Sequence, residues 1–325
     1  MNESGKKSDQ TLTFGLHYGN RRFASVAAKQ WLGDADSIEH ISDSGNSVYR
    51  FRRSGLPLIL RLTDPGYRSA AENLAELRFI RHLAESGVRV ATPVLSANNN
   101  WIEEAWCGEG MLLASAFTVA QGQRVGPDSP HWGTEFFRDW GRTMGAIHHA
   151  ATTFPTTEAE GRWRWHDEVF LREAERLIPA DDTESLRELE AVLHRLHTLP
   201  TTPDLFGMTH ADFGPQNFHF SIPHGITAFD FGNCCRHWFI SDLAIAATLF
   251  RNHPSRKEVR DTLVAGYREA FPIAEEMLQE FGWFIRLRAL YVYLSRLMKF
   301  GPNPSPQEEE ILHNFRAWVH QRDGW

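Results

Sequence analysis

Cysteine is scarce in this chain. Cys107, Cys234 and Cys235 are the only three among 325 residues, too few and too irregularly spaced for a disulfide framework or a zinc site. The adjacent Cys234 and Cys235 read as small packing residues rather than redox partners. No apolar run approaches the ~18 residues that a membrane span requires. The polar start, Met1 to Gln10, has Lys6-Lys7 but no apolar segment behind them, so it does not read as a secretory signal. Positive charge is also in deficit: 34 Lys and Arg against 41 Asp and Glu leave a net charge of -7. That balance argues against a nucleic-acid or anionic-membrane partner held by bulk electrostatics. Internal repeats and low-complexity tracts are missing too. What remains is a soluble, cytoplasmic globular protein, 42% hydrophobic and 23% charged, long enough for one large or two moderate domains.

The first third alternates in character. Phe23 to Trp31 reads as a short helix. Val48 to Arg52 and Leu58 to Leu62 read as strands joined by a turn over Ser54-Gly55-Leu56-Pro57. Leu74, Leu77, Ile80, Leu83 and Ala84 keep helical spacing over Ser69 to Ser86. A further strand pair brackets Asn98-Asn99-Asn100, and Met111 to Val119 reads as a buried strand. Beyond Gly122 helices dominate: Trp132 to Ala150, about 167–178, about 182–198, Phe281 to Phe300 and Pro306 to Arg322. The expected fold class is α+β and bilobal: an antiparallel-sheet N-lobe with one main helix over 1–117, frayed over 1–20, and a larger, mostly helical C-lobe over 118–325.

The chemistry concentrates in one polar hairpin. His210-Ala211-Asp212-Phe213-Gly214-Pro215-Gln216-Asn217 leads into Phe218 to Phe220, a turn over Ser221 to Gly225, and Ile226 to Gly232 with Asp230 near its end. A turn centred between Pro223 and His224 makes Asn217 and Asp230 cross-strand partners, with Cβ atoms roughly 5 Å apart. A carboxylate and an amide oxygen held that close, with Asp212 nearby, suit a hard divalent cation. Metal-assisted phosphoryl transfer asks for such a site: a carboxylate at the acceptor hydroxyl, metal ligands, a cation on the nucleotide phosphates and a cover over them. Asp212 is the candidate for the first role, Asn217 and Asp230 for the second. Arg61, mid-strand with Glu76 on the following helix, is the candidate for the third. The Ser44-Gly45-Asn46-Ser47 turn, whose backbone N–H groups can approach phosphate, is the candidate for the fourth.

The order of these parts resembles the aminoglycoside phosphotransferase/choline kinase family, the small-molecule branch of the protein-kinase-like fold. The family's His-Gly-Asp-x-x-x-x-Asn loop is matched by His210-Ala211-Asp212 to Asn217, and its Asp-Phe-Asp/Gly strand end by Asp230-Phe231-Gly232. Trp238 to Ala244 is similar to its aromatic segment ending in Asp-Leu-Ala, and Leu60 to Ser69, Ala75-Glu76-Leu77 and Val90 to Val94 extend the likeness over about 40 to 300. The resemblance implies an ATP- and Mg²⁺-dependent kinase acting on a hydroxyl of a small molecule. Asp212 would be its base, and Asn217 and Asp230 its Mg²⁺ ligands. Arg61 would sit at the phosphate-cation position with Glu76 as partner, and the hinge strand around Phe117 and Val119 would meet adenine. Three departures accompany it: Arg61 replaces Lys, Ala211 replaces Gly, and Asp230-Phe231-Gly232-Asn233 carries no second acid.

Alternatives sit beside each reading. Asp212 and Asn217 are also ordinary turn residues, Arg61 fits a solvated strand face, and Glu72 or Glu85 competes with Glu76 as its partner. His210 is expected to orient the loop rather than carry protons, and Asp242 to anchor loop backbone or a helix N-terminus. Trp163 and Trp165 either lid an acceptor site or close the back of the helical lobe. His210-x-Asp212 also matches two arms of a non-haem iron triad with His237 as third ligand. A non-catalytic nucleotide-binding module and a kinase acting on protein Ser/Thr complete the competing functions.

Overall fold

A computed structural model describes residues 20–108 and 110–321. The expected frayed segment therefore lies outside the described residues except for Asn20. The chain opens with α1 (Arg21–Gln30), then β1 (Asp34–Ser44), β2 (Asn46–Arg53), β3 (Leu56–Thr63) and α2 (Ala70–Glu85). Next come β4 (Pro93–Val94), β5 (Glu103–Cys107) and β6 (Gly110–Thr118). These strands form one antiparallel sheet in the order β1-β2-β3-β6-β4, with β5 also on β6. The two strands flanking Asn98-Asn99-Asn100 thus pair with β6 and not with each other.

Strand alternation decides what β3 offers each side. Leu58, Leu60 and Leu62 bury against Ala24, Ala27, Trp31 and Phe51, the core beneath α1. Arg61 faces the opposite way, toward α2, whose Leu77, Ile80 and Leu83 join the larger core. That helix begins on a capping box, in which the Ser69 hydroxyl accepts from the Glu72 N–H and the Glu72 carboxylate accepts from the Ser69 N–H. Glu72 is thereby committed to the cap.

The second lobe is helical: α3 (Thr134–Ala151), the single turns α4 (Thr156–Ala159), α5 (Val169–Arg172) and α6 (Ala174–Leu177), then α7 (Thr183–His197). Four short strands follow, β7 (Phe206–Thr209), β8 (Phe218–Ser221), β9 (Gly225–Ala228) and β10 (Cys235–Trp238). The chain closes with α8 (Ile240–Thr248), α9 (Arg256–Arg268), α10 (Glu275–Gln279), α11 (Phe281–Phe300) and α12 (Pro306–His320). The helix expected over 167–178 is broken into α5 and α6. Helices α3 and α9 approach so closely that a Cβ at Gly141 would lie 2.0 Å from the Leu263 carbonyl oxygen. No helix among the described residues is long and apolar enough to cross a membrane.

Candidate active site

Two hairpins and the helices α2, α8 and α11 supply the polar groups. Strands β8 and β9 pair as Phe218↔Ala228 and Ser221↔Gly225, which centres the turn on Pro223. Gly225 takes the left-handed conformation at φ +70 and closes a three-residue loop, the hairpin type that requires glycine at that position. The expected opposition of Asn217 and Asp230 is therefore corrected. Phe229 is the residue across from Asn217, its N–H donating to the Asn217 carbonyl at 2.9 Å. Asp230 lies one residue beyond, at φ 60 and ψ 62, where the chain leaves the strand.

Both residues nonetheless reach the wall of one cavity of about 500 Å³ between the lobes. Arg61, Glu76, Phe117 and Val119 line it as well. Of the phosphate-turn residues, Ser44 lines it together with Ser42 of β1, but Gly45, Asn46 and Ser47 do not. The Asn46 amide oxygen instead accepts from the Thr63 hydroxyl at 2.8 Å, and Gly45 sits against the Tyr67 ring.

Arg61 is not a solvated strand arginine. It is 5% exposed and its partner Glu76 1%. The guanidinium donates to both Glu76 oxygens, at 2.6 and 3.0 Å, and to Asn73 Oδ1 at 3.2 Å. Such a forked ion pair fixes both side chains. Glu85 pairs with Arg81, so neither competitor for Arg61 is free to replace Glu76.

The Asp230 carboxyl is raised above its ordinary range, chiefly by burial, with Arg61 opposing and Glu76 and Asp212 adding to the rise. No hydrogen bond reaches that carboxylate among the described residues. The side chain nonetheless stays open to solvent at the rim of the cavity, where a carboxylate free of protein donors fits an oxygen-seeking cation. Asn217 completes the donor set, because its Nδ2 donates to Asp212, at 2.8 Å to the carbonyl and 3.1 Å to Oδ2, leaving its amide oxygen for a metal. Groups of three or more His, Cys, Asp and Glu able to hold a metal are absent among the described residues. The remaining ligands of a hard cation here would come from phosphate and water.

Asp212 is held from two sides, by Asn217 and by Arg288 Nη2 on α11, 3.0 Å from Oδ1. Nothing local in the sequence signals Arg288; it lies 76 residues away. Beside this pair opens a cavity of about 40 Å³ lined by Ala211, Arg288, Glu168, Trp163, Trp165, Ser241 and Tyr291 among others. The two tryptophans thus border the catalytic loop, and Trp165 is at the same time part of the helical core.

The loop itself hangs on Asp242, which accepts from the N–H groups of His210 and Ala211 at 2.9 and 2.8 Å and contacts His148 at 3.1 Å. Burial alone would raise the Asp242 carboxyl, but the bond and charge of His148 and the His210 N–H hold it below its ordinary range. This anchor keeps Ala211 at φ +63, where the resemblance has Gly. His210 is fully buried, with Nε2 3.0 Å from the Phe229 carbonyl, in the orienting role expected of it. His237 is buried within the helical lobe and pushed down to about 3 by burial, and no iron triad forms among the described residues. Cys234, whose thiol burial pushes up to about 12, is a packing residue.

Comparison with known proteins agrees with this geometry. Residues 37–281 match the phosphotransferase enzyme family, APH. Amicoumacin kinase of Bacillus subtilis (strain 168) is 29% identical over 303 residues, covering 89% of each chain. A solved amicoumacin kinase, hAmiN in complex with AMP-PNP, Ca²⁺ and Ami, shares 27% identity with a TM-score of 0.84 over 93% of each chain. A microcompartment-associated aminopropanol kinase, at 21% identity, superposes with a TM-score of 0.77 over 93% of this chain and 95% of its own.

Proposed function

The chain belongs to the phosphotransferase enzyme family, and on that premise we propose how its residues divide the work of moving a phosphoryl group from ATP to a hydroxyl of a small molecule. Asp212 accepts the hydroxyl proton, or orients the hydroxyl for attack, with Arg288 and Asn217 fixing the carboxylate at 3.0 and 3.1 Å. Asn217 and Asp230 hold Mg²⁺, which when bound draws charge from the phosphate oxygens. Arg61, locked by Glu76, faces the nucleotide cavity as the fixed cation. Phe117 and Val119 border the adenine end, and Ser44 at the β1–β2 turn covers the phosphates. The lobe boundary stays near the end of β6, and the setting is cytoplasmic, where ATP is supplied.

One observation carries the reading: Asn217 and Asp230 line a cavity that also contains the buried Arg61–Glu76 fork, and Asn217 links that cavity to Asp212 at 3.1 Å. For the acceptor we propose a hydroxyl-bearing amine. The aminopropanol kinase and a homoserine kinase of Phenylobacterium zucineum (strain HLK1), 28% identical over 176 residues and 53% of its own length, point to that class. The small cavity supports it, since Glu168 and Tyr291 line it and a carboxylate beside an aromatic ring suits an ammonium group.

Asp212→Asn tests the assignment. Loss of general-base action is expected to lower turnover about 10²- to 10⁴-fold, while AMP-PNP binding by calorimetry stays unchanged. Retained full turnover on every amino alcohol the parent phosphorylates sinks the role of Asp212. An acceptor panel in which only amine-free polyols react sinks the acceptor class.

A further inference from the structure

Asp230 receives no side-chain hydrogen bond among the described residues, so its backbone alone sets where its carboxylate points. That backbone leaves β9 in the left-handed conformation and passes through a tight turn over Phe231–Asn233. What holds this turn lies 70 residues earlier, in the segment after α4. Arg162 is 1% exposed. Its Nη2 donates to the Gly232 carbonyl at 2.6 Å, its Nε to the Cys234 carbonyl at 2.7 Å and its Nη1 to the Glu72 carbonyl of α2 at 3.2 Å.

The first two carbonyls belong to the chain directly after Asp230. The third lies one helical turn before Glu76, the residue that holds Arg61. Gly232 also faces the other side of the site: a Cβ there would lie 3.4 Å from Asp230 Oδ1 and 3.9 Å from Arg61 Nη1. The fit of the Arg162 segment is close, since a Cβ on Gly161 would come within 2.6 Å of Ala75 Cβ on α2.

We propose that Arg162 is a positioning residue for the metal site, one guanidinium tying the Asp230 turn to the helix that carries Glu76, so that the metal ligand and the phosphate cation are set at a fixed separation before nucleotide arrives. The proposal rests on Asp230 being a metal ligand. Trp163 forms the second layer, lying between the guanidiniums of Arg162 at 4.0 Å and Arg68 at 3.8 Å. Arg68 in turn pairs with Glu168 at 3.1 Å. Groups that orient metal ligands from outside are typically worth 10- to 100-fold in metal affinity.

The test is AMP-PNP affinity of the full chain by calorimetry, once in EDTA and once in Mg²⁺, for the parent, Arg162→Lys, Trp163→Leu and Asp230→Asn. A lysine reaches one of the three carbonyls, so R162K is expected to bind within about twofold of the parent in EDTA and to lose about tenfold of the tightening that Mg²⁺ confers. W163L keeps every Arg162 hydrogen bond and removes only the stack; it is expected to show a smaller loss of the same kind, and it carries the test if R162K does not fold. A lowered content of folded protein reduces the number of sites and leaves both affinities unmoved. R162K weakening equally in both arms, or W163L and R162K both keeping the full Mg²⁺ advantage, overturns the proposal. D230N separates the two claims: if it keeps the Mg²⁺ advantage, the ligand assignment itself fails. If it loses the advantage while R162K and W163L keep it, only the role of Arg162 fails.

Discussion

Replacing Asp230 by Asn is expected to abolish turnover while leaving the metal-free protein about as stable as the parent. The carboxyl is raised in the folded state, first by burial, with Glu76 and Asp212 adding to the effect and Arg61 opposing it. A group raised in this way contributes stability that is fully present below its unfolded value and is lost as pH rises through the folded one. The side chain is nonetheless open to solvent at the cavity rim, and water screens the carboxylate, so its lack of a protein hydrogen bond costs little in the metal-free chain. Asn tolerates the left-handed backbone as well as Asp does, so D230N should lie within about 0.5 kcal/mol of the parent. At ~2.1 cal/mol/K of unfolding entropy per residue, a chain of this size converts that limit to a Tm change of less than about 1 °C. The assay is thermal unfolding of parent and D230N in EDTA at neutral pH, repeated at falling pH. Any difference between the two should shrink further as pH drops through the raised folded-state value, because the parent carboxyl then takes its proton. A D230N protein that melts more than about 2 °C away from the parent in EDTA at neutral pH refutes the account of Asp230 as a solvent-open carboxylate.

Two further changes probe the scaffold. Arg61→Met leaves Glu76 buried without its cation and should cost about 3–5 kcal/mol in denaturant unfolding. Arg61→Lys should cost less, about 1–3 kcal/mol, because one ammonium replaces a two-pronged guanidinium; a lysine variant as stable as the parent shows that the fork is dispensable. Ala211→Gly removes about 1–2 kcal/mol of left-handed strain and returns about 0.4–1 kcal/mol as unfolded-state entropy. A net gain of roughly 0.5–1 kcal/mol is expected, with AMP-PNP affinity unchanged, and a destabilised A211G shows that the loop anchor does not hold Ala211 under strain.

Much of the N-lobe is readable from local pattern. The β2 and β3 strands, the helix from Ser69 and the buried strand β6 each follow from periodicity over a few residues, and a positively charged residue on the face of β3 opposite the leucines has to find an anion. The same reasoning identified Glu76 and the polar hairpin. It erred where the answer depended on turn geometry: a left-handed Gly225 recentred the turn on Pro223 and placed Phe229, not Asp230, across from Asn217. It also set Gly45 and Asn46 in the cavity wall, whereas Thr63 draws Asn46 away, a choice that belongs to side-chain partners on the neighbouring strands.

The partners that complete the site had no local signature. Arg288 reaches Asp212 across 76 residues, Arg162 reaches Gly232 across 70, and Arg68 reaches Glu168 across 100. From sequence each is one arginine among many, with a solvated surface as its default place. Sequence alone determined the elements, the spacing of Asp212, Asn217 and Asp230, and the class of chemistry those residue types allow, because these depend on short-range geometry and intrinsic reactivity. Only the packing of α2, α11 and the segment after α4 around the hairpin decided which cations face which carboxylates, because that pairing is set by burial, where an unmatched charge is too costly to leave alone.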